Sequence, residues 1–69
     1  MTLKELRVGA AKSQRETARY LNISVSSLSH CEAGRRNINI HQIIPLAKFY
    51  DCTAEDVILA QLNTIPHHS

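Results

Sequence analysis

The chain has 69 residues, 43% of them hydrophobic and 20% charged, with a net charge of +2, two Gly, two Pro and two Cys. A chain this short buries only about 60% of its unfolded surface, which excludes two independent cores, and its ordinary apolar and charged content excludes disordered and fibrous classes. The only large rings are Tyr20, Phe49 and Tyr50, so Leu, Ile, Val and Ala must fill the core, which suits a small helical domain.

No stretch approaches the roughly eighteen apolar residues that span a bilayer, and no basic amino-terminal patch precedes an apolar run, so a soluble cytoplasmic protein without membrane partners is expected. Cys31 and Cys52 are too few for a disulfide framework and are expected as free thiols. Charge is unevenly spread: residues 1–36 carry seven cations against three anions, and residues 37–69 one cation against three anions. A basic front half suits a polyanion, although charge alone favours the plainer reading of a solvated mixed-charge surface.

Thr2 with Glu5 has capping-box spacing and starts helix 1, whose apolar stripe is Leu3, Leu6 and Ala10. Gly9 weakens its last turn by about 1 kcal/mol relative to Ala. Ser13 with Glu16 repeats the signature for helix 2, which turns Ala18 and Leu21 inward and leaves Arg15 and Arg19 as an exposed i, i+4 basic pair. Asn22 ends it, because Asn tolerates the left-handed conformation a helix terminus often needs. Ile23 points inward and Ser24 caps helix 3, expected from Val25 to Ala33 with Gly34 just beyond.

On helix 3, Leu28 and Cys31 share one face, Ser26, Ser29, His30 and Ala33 the other, and Val25 and Ser27 lie on the borders. The outward face is therefore small, polar and uncharged, which suits close approach to another surface better than mere solubility. Arg35, Arg36 and Asn37 form a polar loop, and Asn39 with Gln42 marks helix 4, with Ile40, Ile43, Ile44, Ala47 and either Phe49 or Tyr50 as its inward residues. Pro45 costs about 3 kcal/mol in a helix interior and predicts a kink or a late, irregular start. Thr53 with Asp56 caps helix 5, where Val57, Ile58, Leu59 and Leu62 exceed one narrow stripe and suggest a partner surface. Residues 1–62 thus read as one domain, and residues 63–69, from Asn63 through Pro66, His67 and His68, as a frayed tail.

The stretch Gln14 to Ala33 is then two short helices joined by a tight turn, with Ala18 small at the crossing, Asn22 in the turn, and Leu21, Ile23 and Leu28 locking the angle. Such a unit binds DNA when its second helix enters the major groove and its flanks grip phosphates. The run SQRETARYLNISVSSLSHCEAGRRN, with LKELR before it and LAKFYDCTAEDVI after it, resembles the lambda-repressor-like, or Cro/Xre-type, helix-turn-helix regulators over about residues 3–60.

The resemblance implies an all-α, five-helix DNA-binding domain acting on double-stranded DNA, a repressor being the expected mode. One copy of helix 3 makes too few contacts for tight binding, so a homodimer through helix 5 and the loop before it is expected. The resemblance also implies that Val25, Ser26, Ser27 and His30 face base edges, with Ser29 on the same outward face. Gln14 and Arg35 would bond phosphates, with Arg15, Arg36 and Asn37 beside them. Arg7 and Glu32 align with a partly buried ion pair tying helix 1 to helix 3. The sequence departs from the family at Lys12, where an aliphatic residue is usual, at Ala11, often Gly, and at Thr17, usually Leu. The alternative reading is an antitoxin-like module that holds a protein partner on the same fold. An enzyme is not expected, because no carboxylate pair, activated nucleophile or phosphate-cradling Gly loop is visible, and no cofactor or metal site is assigned. His30 and Cys31 are adjacent on a helix and so point about 100° apart rather than at one ligand.

Overall fold

The structure, a computed structural model, describes residues 1–65. Five helices follow in order: α1 Leu3–Gly9, α2 Gln14–Leu21, α3 Val25–Glu32, α4 Ile40–Phe49 and α5 Ala54–Thr64. Local chemistry sets where each begins. Thr2 with Glu5, Ser13 with Glu16 and Thr53 with Asp56 close reciprocal capping boxes, and Ser24 accepts from the Ser27 N–H. The cap on α4 is looser: Asn39 accepts from the His41 N–H at 2.9 Å, and Gln42 reaches it only through the backbone.

The first four helices end alike. Ala11, Asn22, Gly34 and Asp51 have φ of 59°, 58°, 80° and 56°. At each, the next residue's N–H reaches back to the carbonyl of Arg7, Ala18, His30 or Ala47, the six-residue closure of a Schellman motif. Asn22 behaves as its composition predicts. Ala11 has neither the freedom of Gly nor a polar side chain, and holding it there costs about 1–2 kcal/mol.

The core gathers Leu3, Leu21, Ile38, Leu46, Tyr50 and Val57, all nearly inaccessible. Helix α2 packs on α3 and α4, and α5 on α1 and α4. The inward face of α4 departs from the sequence expectation. Ile43, Leu46, Ala47 and Tyr50, at i, i+3, i+4 and i+7, face the core, whereas Ile40 and Ile44 are 77% and 60% exposed. Ile44 follows Ile43 by about 100° and leaves the stripe, and Ile40 occupies the first helical position. Pro45 causes no late start: α4 runs unbroken through it from Ile40. The carbonyl that loses its helical partner to the proline ring belongs to His41, which is exposed to water. Helix α5 includes Asn63 and Thr64, two residues past the boundary expected for the tail, and Thr64 accepts from the Leu3 N–H at 2.8 Å. The remainder of that expected tail, Pro66 to Ser69, lies outside the described residues.

Two of the three departures from the family pattern, Thr17 and Lys12, have side-chain partners. Thr17 is fully buried, its hydroxyl donating to the Ser13 carbonyl at 2.9 Å and accepting from the Tyr50 hydroxyl at 3.4 Å. The Lys12 ammonium lies 4.7 Å from the centroid of Phe49, which stacks on Tyr20 at 4.3 Å, so the lysine covers an aromatic pair instead of entering the core. Burial pushes the Tyr50 phenol up to about 12. The folded state therefore holds this proton more tightly than the unfolded chain, whose tyrosine titrates near the ordinary value of about 10. Tyr50's contribution is complete below that value and is lost as pH rises from 10 to about 12. Urea unfolding at about pH 9 and about pH 11.5 should show a larger loss of stability in the native chain than in Tyr50→Phe. Equal losses in the two proteins would contradict the buried-phenol account.

Candidate nucleic-acid interface

The turn between α2 and α3 is built from Ala18, 1% exposed, which lets the helices cross closely, and from Leu21 and Leu28, which fill the angle. The Ile23 N–H returns to the Ala18 carbonyl at 2.9 Å and fixes the direction in which α3 departs.

At its far end α3 is held by charge. Arg7 Nε donates to Glu32 Oε2 at 2.6 Å and its Nη2 to Oε1 at 3.2 Å, a bidentate pair with side chains 11% and 5% exposed. Arg7 Nη1 also donates to the Lys12 carbonyl at 2.9 Å, and Gln14 Nε2 to Glu32 Oε1 at 3.0 Å. These contacts tie α1, the α1–α2 turn, the start of α2 and the end of α3 to a single carboxylate. Gln14, assigned from sequence to a phosphate, thus spends one amide hydrogen on Glu32 and keeps the other.

The outward face of α3 presents Ser26 and Ser29 exposed, Val25 42% exposed, and Ser27 and His30 half-buried. Leu28 and Cys31 turn inward at 2% and 4% exposure, which separates Cys31 from its neighbour His30. Both cysteines are free, and burial holds each thiol above its ordinary value, which suits small packing residues rather than nucleophiles. Among the described residues no group of His, Cys, Asp and Glu gathers in a metal-holding cluster.

Around α3, Arg15, Arg35 and Arg36 are exposed. The Arg35 N–H closes α3 on the His30 carbonyl at 3.0 Å, and Arg36 Nη1 reaches Ser27 Oγ at 3.4 Å. Asn37 is exposed, but its side-chain oxygen accepts from Gln61 Nε2 at 3.2 Å, while Gln61 Oε1 accepts from the Ile38 N–H at 2.8 Å. Gln61 therefore anchors the loop after α3 to α5. Its role is invisible in the sequence, because its partners lie 23 and 24 residues away. The links from Glu32 to Gln14 and from Arg36 to Ser27 are hidden for the same reason.

Removing Glu32 leaves a partly buried guanidinium without its anion and the Gln14 amide without its acceptor. Glu32→Ala should cost about 3–5 kcal/mol, read as a lower urea midpoint at unchanged slope, with Glu32→Gln milder. A loss below about 1 kcal/mol would mean that the pair behaves as a solvated surface contact.

A helix-turn-helix family model matches residues 3–57, from the start of α1 into the first turn of α5. No curated protein and no solved structure shows significant similarity to the chain. The match takes in α2 and α3 with the turn, the ion pair and the loop described above. The chain belongs to the Cro/C1-type helix-turn-helix family of DNA-binding regulators, the lambda-repressor-like type that the stretch from Gln14 to Ala33 resembles.

Proposed function

We propose that the protein is a sequence-specific regulator, acting as a repressor in the cytoplasm, that places α3 in the major groove of its operator. The observation that carries this reading is the chemistry of α3: a small, uncharged outward face flanked by exposed Arg15, Arg35 and Arg36. A helix that only solubilised the fold would carry its charge on that face rather than beside it. Val25, Ser26, Ser27, Ser29 and His30 meet base edges. Gln14, through its remaining amide hydrogen, and Arg15, Arg35, Arg36 and Asn37 meet phosphates on either side.

One copy of so short a helix makes few base contacts, and a homodimer on half-sites about 10 base pairs apart supplies the rest. Ile58, Leu59 and Leu62 support that assembly, since they are 45%, 51% and 51% exposed on the outer side of α5. The same residues favour a second reading, an antitoxin-like module that holds another protein through α5.

Binding to a duplex selected from random DNA should weaken steeply as salt rises, and Arg35→Ala should lower the slope of log affinity against log salt by about 1. Affinity that barely responds to salt would exclude phosphate-anchored binding. Capture of a protein partner by a chain that selects no DNA would favour the second reading.

A further inference from the structure

Ser27 occupies an unusual position on the reading face, because its oxygen is already engaged before any DNA arrives. The Ser24 hydroxyl donates to Ser27 Oγ at 2.9 Å, and Arg36 Nη1 approaches the same oxygen at 3.4 Å. Ser24 Oγ in turn accepts from the Ser27 N–H at 3.0 Å, which holds the two hydroxyls side by side at the start of α3. A serine hydroxyl has two acceptor positions and one donor. With both acceptor positions taken, the Ser27 proton is what remains for a partner.

The contact from Arg36 is long, yet its effect does not depend on a short bond. A guanidinium is always charged and donates only, so no rotation turns it into an acceptor. A positive group beside Oγ opposes the approach of any second N–H donor and favours an acceptor at the Ser27 proton. Arg36 and Ser27 also line the open cleft between the end of α3 and the start of α4, of about 520 Å³, so the pair faces solvent where a ligand can approach.

We infer that Arg36 acts as a positioning residue that makes Ser27 a donor-only reader of one base, accepting purine N7, guanine O6 or thymine O4 and rejecting cytosine. The discrimination follows from the major groove, where cytosine offers a donor amino group and the other bases each offer an acceptor. This inference rests on the reading that α3 enters that groove. Beyond the phosphate contact it shares with Arg35, which adds affinity on any sequence, Arg36 adds preference at one position.

The test is selection of bound fragments from random DNA by the full chain and by Ser27→Ala, Arg36→Ala and Arg36→Lys. The native protein should deplete cytosine at one position by about 5-fold, the worth of roughly one hydrogen bond. Ser27→Ala and Arg36→Ala should both remove that depletion and leave other positions unchanged, while Arg36→Lys, which still donates, should keep it. Uniform weakening by Arg36→Ala with an unchanged profile would overturn the inference and leave Arg36 a phosphate contact. An unchanged profile in Ser27→Ala would overturn it too. Failure of the native chain to select any DNA would instead defeat the reading of α3 on which it rests. Thermal unfolding of the variants separates these results from misfolding: Arg36 is exposed and Ser27 half-buried, and a variant that unfolds near the native temperature reports on readout alone.

Discussion

The carboxylate of Glu32 is the point through which α3 is fixed to the rest of the domain. Arg7 grips it with two nitrogens, and Gln14 adds a third donor. Replacing such a pair by apolar residues is often neutral for stability, whereas breaking it is costly, so its main effect is geometric. It sets the end of α3 against α1 and the start of α2, while Ala18, Leu21 and Leu28 set the other end. A helix of eight residues is too short to hold its own direction in solution. The direction comes from these two anchorages.

The same geometry sorts the cations. Arg7 is consumed within the fold, and Lys12 lies over an aromatic ring. Lys4, Arg15, Arg19, Arg35 and Arg36 remain at the surface of the front half, and the acidic residues Asp51, Glu55 and Asp56 remain at the α4–α5 end. The charge asymmetry visible in the composition therefore survives folding, because the ion pair takes one cation and one anion from the same half and leaves its excess of positive charge unchanged. The small outward face of α3 sits beside the remaining arginines and carries no Asp, Glu, Lys or Arg of its own.

Much of this was legible in the sequence because it depends on neighbours. Thr2 and Glu5, Ser13 and Glu16, and Thr53 and Asp56 announce helix starts at fixed spacing, and Asn22 and Gly34 announce helix ends. The inward placement of Leu28 and Cys31 follows from the helical period. What failed was local pattern without tertiary context. Four isoleucines and leucines crowd α4, and periodicity alone did not reveal that Leu46 and Tyr50, rather than Ile40 and Ile44, own the core stripe. Thr17 departs from the aliphatic residue usual in the family, and the donor its hydroxyl accepts from, Tyr50, lies 33 residues on, beyond the reach of sequence spacing. Gln14, Gln61 and Arg36 have their roles defined by residues far along the chain, where sequence spacing carries no signal.

Docking α3 against DNA makes a spatial claim that amide chemical-shift mapping of the full chain, titrated with a selected duplex, tests most directly. The account predicts that the strongest shifts run along Val25–His30, with flanking changes at Gln14, Arg15 and Arg35–Asn37. Shifts concentrated on another face, with the amides of α3 unmoved at saturating duplex, would contradict it.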